Sequence, residues 1–435
     1  MKPNIFALSL AGLIASLGTA HAATEITFWH SMEGALGERV SELVQGFNAS
    51  QNDYTVNAIY KGTYGESMNA GIAAFRSGNA PDILQVFEVG TATMMYAKGA
   101  IKPVQEMSEE AGDAIDPAGF LGAVAGYYSS PEGKLISMPF NSSTPVLYYN
   151  KDAFKKAGLD PESPPKTWKD VDAAGKKLRE AGMECGYTTG WPSWIQLETF
   201  AAWHNVPYAT QDNGFKGLDS RLALDNPAFV KHFGFLAQMA KDGSFTYGGR
   251  GDSSNALFTS GKCGMFTGSS GARANIIKNG KFDFGTSSLP YHDDIQGAPQ
   301  NTIIGGASLW VFAKKSPEVY KGVTQFFKYI SGPEQAAAWH QATGYVPVTK
   351  AGYEVTKKSG FYEKNPGTEV AVRQLDADTT ENSRGIRLGF LPQIREIEDG
   401  EAERIFAGEV SAEAGLKRMM ERGNELLKRF EASVK

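Results

Sequence analysis

The sequence predicts an α/β protein of two lobes with a hinged cleft between them. Three observations support this fold class. The chain has 435 residues, a length that corresponds to two or three domains, each with its own core. Its first part alternates strand and helix patterns. Two extended segments far apart in the chain each contain a polar or glycine break, as a hinge between lobes requires.

The first ninety residues follow the order strand, helix, strand, helix, strand. Period-two and helical spacings of apolar residues mark these elements, which we place at residues 26–28, 36–47, 54–60, 66–75 and 83–87. This alternation predicts a doubly wound sheet. Such sheets bind ligands beyond the carboxyl ends of their strands, and Glu88 directly follows the third strand.

The candidate hinge segments are residues 135–150 and 303–311. The first contains two extended runs separated by the polar sequence Asn141-Ser142-Ser143-Thr144, and the second is broken by Gly305-Gly306. We expect hinge movement near residues 141–145 and 303–306. From periodicity alone, core strands joined by ordinary turns explain these segments equally well.

The remaining helix signals are local. Residues 151–158 have a helical pattern, and Thr167 has the position of an N-terminal cap for a second helix. Apolar residues recur at helical spacing over residues 416–430, which predicts an amphipathic helix packed on one lobe.

The N-terminus resembles an export signal. Lys2 precedes an apolar run over residues 5–17, and Ala20-His21-Ala22 has the small-residue pattern of a signal-peptidase site. The run is too short to span a bilayer. We therefore expect residues 1–22 to be a signal peptide and residues 23–435 to form an exported protein of the periplasm.

Charge and cysteine content exclude other classes. The 43 basic and 48 acidic residues give a formal charge of −5, and no basic run supports nucleic-acid binding. Two cysteines, Cys185 and Cys263, are too few for a disulfide scaffold and lack the spacing of a zinc site. Because both lie in strand-like segments of an exported protein, a disulfide between them is one expectation. Buried free thiols are the other.

The sequence lacks catalytic signatures. No histidine pairs with another histidine or a cysteine at metal-ligand spacing, and neither a G-x-S-x-G elbow nor a G-K-[S/T] phosphate loop is present. We therefore expect no catalytic residues, no metal and no cofactor. Paired carboxylates of the glycosidase kind leave no sequence signature, so they are not excluded. An exported two-lobed protein without catalytic motifs indicates a solute receptor.

Several segments resemble the glycerol-3-phosphate-binding receptors of ABC importers. The matching segments are residues 28–34, 71–76, 88–95, 139–145, 190–191, 303–310, 339–341, 343–345, 392–395 and 421–424. The resemblance covers essentially the whole mature chain, and the maltose-binding class is similar more remotely. It implies the periplasmic binding protein fold, with one lobe formed by residues 23–140 plus 306–347. The other lobe would contain residues 145–302 plus 348–435.

The resemblance also implies a function. The expected ligands are sn-glycerol 3-phosphate and glycerophosphodiesters such as glycerophosphocholine, and the expected partners are the permease and ATPase subunits in the inner membrane. The protein is expected to be a monomer. Two alternatives remain at this point: a sugar receptor of the same fold, and an exported glycerophosphodiesterase.

The ligand-binding residues of these receptors carry over at eight positions. They are Tyr64, Glu88, Ser143, Trp191, Ser269, Gly306, Tyr345 and Arg395. A shift of one residue would exchange Ser269 for its neighbour Ser270. The serine and tyrosine hydroxyls and the Gly306 N–H are neutral donors suited to a phosphate ester.

Two charged side chains and one indole have distinct expected roles. Arg395 offers a planar fork of donors for phosphate oxygens, and we place it in a loop marked by glycine and proline over residues 385–392. Glu88 can accept hydrogen bonds from two glycerol hydroxyls, with help from Tyr64. Trp191 lies in a turn-rich segment and can cover the glycerol carbons.

Overall fold

The computed structural model describes residues 22–375 and 379–435. The predicted signal peptide lies outside this part of the chain except for Ala22. The strands of the described part are β1 (Thr24–His30), β2 (Tyr54–Tyr60), β3 (Ile83–Phe87), β4 (Met138–Ser143), β5 (Pro145–Asn150), β6 (Cys185–Thr189), β7 (Cys263–Ser269), β8 (Phe284–Ser287) and β9 (Gly305–Val311). No described helix is both long and apolar enough to cross a bilayer.

The helices are spread along the described residues. In order they are α1 (Gly34–Ser50), α2 (Tyr64–Arg76), α3 (Thr91–Met95), α4 (Val104–Glu110), α5 (Gly122–Tyr128), α6 (Lys151–Lys156), α7 (Trp168–Glu180), α8 (Phe200–Trp203), α9 (Thr210–Gly214), α10 (Pro227–Asp242), α11 (Asn255–Thr259), α12 (Arg273–Asn279), α13 (Pro317–Ser331), α14 (Pro333–Thr343), α15 (Lys350–Lys358), α16 (Phe361–Lys364), α17 (Val370–Leu375), α18 (Leu391–Phe406) and α19 (Ala412–Val434). A π-helix, Ser193–Thr199, precedes α8.

The first lobe is built on a sheet of strand order β2-β1-β3-β9-β4. Strands β2, β1 and β3 are parallel, which confirms the predicted alternation of strands and helices. Strand β9 runs antiparallel to both β3 and β4. The carboxyl end of β3 therefore lies beside the segment that returns from the second lobe.

The second lobe contains a sheet of order β6-β7-β5-β8. Strands β6 and β7 are parallel, and Cys185 lies opposite Cys263 in their register. The two cysteines form a disulfide with a Cα–Cα distance of 4.5 Å. The expectation of a disulfide is therefore confirmed.

Local signals in the sequence explain where several helices begin. Thr63 and Glu66 form a reciprocal capping box at the start of α2, and Thr167 forms another with Asp170 at the start of α7. The predicted C-terminal amphipathic helix is present as α19, and its apolar face packs on α10 and α18. These caps satisfy backbone N–H groups that have no partner within their own helix.

Three passages of the chain connect the lobes. The first lies at Thr144, between β4 of one sheet and β5 of the other, and the second precedes β9. The Thr144 hydroxyl donates to Thr302 Oγ1 at 2.6 Å and to the Ile303 carbonyl at 3.1 Å. In the third passage, the Val346 N–H donates to the Ser142 carbonyl at 2.9 Å. Hydrogen bonds therefore join the first passage to each of the other two.

Candidate functional site

All eight residues carried over from the resemblance line one cavity between the lobes. Its volume is about 480 Å³. Ser269 lines this cavity, whereas Ser270 is buried and does not line it. The structure therefore directs Ser269, of the two neighbouring serines, toward the cavity.

Tyr64 is held by a chain of amide side chains. It is the first residue of α2, and its hydroxyl accepts from Asn141 Nδ2 at 2.9 Å. Asn141 Oδ1 in turn accepts from Gln85 Nε2 at 2.8 Å. The Tyr64 ring stacks on Phe87 with centroids 5.4 Å apart and planes 10° apart. Both interactions fix the ring at the cavity wall.

Gly306 and Ser143 belong to the paired strands β9 and β4. Gly306 has a φ of 86°, and a Cβ there would lie 1.8 Å from the Asn141 carbonyl oxygen. No other residue type fits this close approach without moving the strands. Ser143, at the end of β4, is almost fully buried. The backbone of β9 thus comes close enough to form part of the wall.

Tyr345 and Ser269 contribute hydroxyls from two further elements. Tyr345 follows α14 and Gly344, and its ring stacks over Trp339 with planes 7° apart. Ser269 ends β7, and its Oγ accepts from the Gly271 N–H at 3.1 Å. The short turn that begins after Ser269 leads into α12, so its N-terminal end borders the cavity.

Trp191 lies at a backbone position that few residues adopt. Its φ is 45°, and its N–H donates to the Gly251 carbonyl at 2.7 Å. The π-helix Ser193–Thr199 begins two residues later. Left-handed backbone at a bulky residue is uncommon, and it occurs most often where a side chain must be held in a functional orientation.

The predicted loop position of Arg395 is wrong. Arg395 lies in the N-terminal part of α18, which begins at Leu391 after Phe390, a residue with a φ of 54°. Pro392 lies in the first turn of this helix, where proline is tolerated because the N–H groups there have no intrahelical partner. The proline therefore marks the start of a helix rather than a loop.

Most of the guanidinium fork of Arg395 is engaged by carboxylates of the protein itself. Arg395 Nε and Nη2 donate to the two carboxylate oxygens of Glu198 at 2.6 and 2.8 Å, and Nη2 also donates to Glu88 Oε1 at 2.6 Å. Of the three guanidinium nitrogens of Arg395, only Nη1 has no hydrogen-bond partner among the described residues. Burial alone would lower the pKa of Arg395, but the two carboxylates outweigh it and raise this pKa.

Sequence reasoning missed Glu198. It lies in the π-helix, and its side chain is only 2% exposed. The available signal was a single carboxylate within the apolar run at residues 194–203, because glutamate is almost never fully buried unless it is paired. Its partner lies 197 positions away in the sequence, so no local pattern identifies it.

Further buried carboxylates surround this ion pair. The Tyr208 hydroxyl donates to Glu398 Oε1 at 2.5 Å, and Asp399 Oδ1 accepts from the Ser193 N–H at 3.1 Å. Burial raises the pKa of Glu398 and the pKa of Glu88. It also raises the pKa of Asp399, to about 6. Four buried carboxylates thus lie near one arginine, and two of them, Glu88 and Glu198, bond to it. This part of the site is acidic rather than basic.

Comparison with known proteins identifies the class to which this chain belongs. Residues 42–369 match the profile of the bacterial extracellular solute-binding proteins, and the chain belongs to this family. The sn-glycerol-3-phosphate-binding periplasmic protein UgpB of Escherichia coli K12 is 53% identical over 438 residues, covering 100% of both chains. UgpB of Salmonella paratyphi A is 53% identical over 431 residues, covering 99% of this chain and 98% of the relative.

Solved structures match the two-lobed fold. UgpB from Mycobacterium tuberculosis in complex with glycerophosphocholine superposes with a TM-score of 0.80 at 24% identity, covering 94% of this chain and 99% of that one. The GacH receptor of Streptomyces glaucescens superposes with a TM-score of 0.78 at 18% identity, covering 94% and 100%. The fold of the chain is therefore that of the solute receptors of the maltose-binding type, as the sequence predicted.

Proposed function

We propose that this protein captures sn-glycerol 3-phosphate and glycerophosphodiesters in the periplasm and delivers them to an ABC importer. The importer would supply a permease and an ATPase in the inner membrane. The observation that carries the proposal is that all eight carried-over residues line a single cavity. Identity of 53% over the full chain with a protein named for this ligand supports the same conclusion.

The charge distribution supports one orientation of the ligand. An ionised carboxylate accepts hydrogen bonds from hydroxyls and repels phosphate, so Glu88 and the acidic groups around Arg395 suit the glycerol end. Arg395 Nη1 remains to donate to a glycerol oxygen. This differs from the sequence-based expectation that Arg395 binds phosphate.

The phosphate would then be held by neutral donors. Ser143, Ser269 and Tyr345 bring three hydroxyls to the cavity wall, and Tyr64, which was expected at the glycerol end, would bring a fourth. The N-terminal end of α2 lies at this wall too, and helix N-termini favour anions. A site without a dedicated counter-charge accepts a singly charged diester as well as a monoester.

The cavity is large enough for a diester. Small-molecule sites commonly have volumes of about 300–1,000 Å³, and this cavity of about 480 Å³ lies within that range. Trp191 lines it and would cover carbon atoms of the bound ester. Glycerol 3-phosphate alone would leave part of the space for a substituent.

We also propose the lobe boundaries of the sequence analysis, 23–140 plus 306–347 and 145–302 plus 348–435, and a monomeric receptor without catalytic activity. The distribution of strands between the two sheets supports this division. Helix α15 packs on α14 of the first lobe, so it lies at the border. Engagement of Glu88 and Glu198 by Arg395 argues against their use as a free acid and base.

Calorimetry with four compounds tests the function. Glycerol 3-phosphate and glycerophosphocholine should bind, whereas maltose should not, and inorganic phosphate should bind far more weakly because it lacks the glycerol hydroxyls. The double variant Ser143→Ala/Ser269→Ala should weaken both esters, and Ser433→Ala, at an exposed serine, serves as its control.

Two results would contradict the proposal. Binding of maltose without binding of glycerol 3-phosphate would indicate the sugar receptor. Release of choline from glycerophosphocholine, with or without added divalent metal, would indicate the phosphodiesterase.

A further inference from the structure

Two carboxylates that line the cavity have no cationic partner. Among the described residues, Glu33 and Asp252 form no ion pair, whereas Glu88 pairs with Arg395. Arg250, the other cation at the wall, is paired with Glu396 and Glu403 outside the cavity. The charge of Glu33 and Asp252 is therefore not balanced by a neighbouring side chain.

Glu33 belongs to the first lobe and lies beside an aromatic ring. It precedes α1, and its side chain accepts one hydrogen bond, from the Tyr60 hydroxyl at 3.0 Å. Tyr60 is 46% exposed, a large fraction for its size, and lines the same cavity. The first lobe thus presents a carboxylate and a partly exposed aromatic ring together.

Asp252 and the indole of Trp191 form the corresponding carboxylate–aromatic pair in the second lobe. Its Oδ2 accepts from Asn255 Nδ2 at 2.9 Å, while its buried Oδ1 has no hydrogen-bond donor among the described residues. The Trp191 ring rests on Gly251, since a Cβ at that glycine would lie 3.8 Å from the indole. An unsatisfied buried carboxylate oxygen is costly.

The two carboxylates interact with each other. Burial raises the pKa of Asp252 to about 6, against the hydrogen bond from Asn255, and the charge of Glu33 adds to this rise. Because the two groups come from different lobes, their repulsion acts across the cleft. A positive group placed between them would relieve this repulsion.

We propose that Glu33 and Asp252, together with the rings of Tyr60 and Trp191, form a subsite for an organic cation carried by the ligand's phosphate. Carboxylates next to aromatic faces attract alkylammonium groups. The protein would therefore select phosphodiesters with a cationic substituent over those with a neutral one. This inference rests on the proposed function. No described group of three side chains has the arrangement of a metal site, which favours an organic cation over a metal ion.

The test compares three ligands by calorimetry at low ionic strength. They are glycerophosphocholine, glycerophosphoglycerol, whose substituent is neutral, and glycerol 3-phosphate. The wild-type protein should bind glycerophosphocholine about tenfold more tightly than glycerophosphoglycerol, in line with one cation–π contact and its partial ion pairs. Added salt should reduce this ratio.

Variants assign the preference to the two carboxylates. Glu33→Gln and Asp252→Asn should each lower the ratio, and the double variant should abolish it. Binding of glycerol 3-phosphate should tighten in Glu33→Gln, because the removed charge repels phosphate. Glu425→Gln, at an exposed residue of α19 that forms no ion pair among the described residues, should keep the wild-type ratio.

The outcomes separate the two proposals. If glycerol 3-phosphate binds but the wild-type ratio is near one, or if the ratio persists in the double variant, the cation subsite is refuted and the receptor function stands. If none of the three esters binds, the receptor function and the subsite both fail. Thermal unfolding shows whether Asp252→Asn is folded; if it is not, Glu33→Gln, at an exposed residue, decides the matter alone.

Discussion

Glu198 binds Arg395 at two points, with Nε–Oε1 and Nη2–Oε2 distances of 2.6 and 2.8 Å. The two residues come from the π-helix and from α18. Planar pairing of this kind fixes the rotation of the guanidinium as well as its position. It therefore determines which nitrogen of Arg395 is left for a ligand.

Substitution of Glu198 should affect both stability and binding. Glu198→Gln keeps the shape but removes one charge next to a buried arginine, so the free energy of unfolding should fall by about 2–3 kcal/mol. Affinity for glycerol 3-phosphate should fall as well, because the guanidinium loses its fixed orientation. Urea unfolding and calorimetry measure the two effects. Glu396→Gln, which breaks an exposed pair with Arg250, should change stability by less than about 1 kcal/mol; equal effects of the two variants would contradict the prediction.

Removal of Arg395 should make stability increase at lower pH. In Arg395→Ala, Glu88 and Glu198 lose their counter-charge while buried, and the pKa of Glu88, which burial already raises, rises further above that of the unfolded chain. The folded state then binds more protons than the unfolded state, so stability should rise as the pH falls from 7 toward about 4.5. Denaturant unfolding of this variant relative to the wild type at pH 7 and at pH 5 measures the difference. Parallel pH profiles would show that the two carboxylates are not buried as described.

The same variant, Arg395→Ala, should also bind the ester less tightly. Affinity should fall by at least about a hundredfold, a loss of the size expected when a buried charged donor is removed.

Gly306 should not tolerate a side chain. Gly306→Ala combines a φ of 86° with a Cβ 1.8 Å from the Asn141 carbonyl oxygen, so stability should fall by more than about 3 kcal/mol. Gly78→Ala is the matched control. Its φ is also positive, at 79°, but nothing lies within 4 Å of the added atom, so only the backbone strain of about 1 kcal/mol should remain. Similar midpoints of thermal unfolding for the two variants would contradict the close approach of the strands.

The disulfide should stabilise the second lobe. Cys185 and Cys263 are separated by 78 positions, and a cross-link over such a loop constrains the unfolded chain. Replacement of both by alanine should lower the free energy of unfolding by about 2–4 kcal/mol. Thiol titration of denatured protein should find no free thiols before reduction and two after it. Two thiols before reduction would show that the bond does not form.

A buried histidine cluster should remain neutral in moderate acid. His232 Nδ1 lies 3.2 Å from His292 Nε2. His204 Nε2 accepts a hydrogen bond from the backbone N–H of His292 at 2.9 Å. Burial lowers the pKa of His204 to about 3 and that of His292 to about 4. Because the unfolded chain protonates these histidines near pH 6.5 and the folded state does not, their contribution to the free energy of unfolding is fully present above pH 6.5. That contribution is lost as the pH falls toward 4. Imidazole NMR shifts should stay constant between pH 7 and 5 in the native protein and titrate near 6.5 in denaturing urea. Titration of both rings near 6.5 in the native state would refute the burial.

Local patterns predicted local structure well. The alternating elements up to β3 could be predicted because apolar spacing reflects which face of each element is buried. The position of β9 between β3 and β4 could not be predicted, because it depends on pairing with strands far earlier in the sequence. The eight cavity residues came from resemblance rather than from spacing. The pairing of Arg395 with Glu198 could not be predicted, because no sequence pattern in either segment indicates contact with the other.

The bonds among the three passages between the lobes restrict how this receptor moves. Thr144 binds the second passage through Thr302 and Ile303, and Ser142 binds the third through Val346. Torsions in one passage are thus coupled to those in the others, which leaves the lobes few independent directions of rotation. An open receptor of this kind loses little orientational entropy when it closes, so more of the ligand's contact energy appears as affinity. Ligand capture would then require closure along a few directions rather than a search over many lobe arrangements.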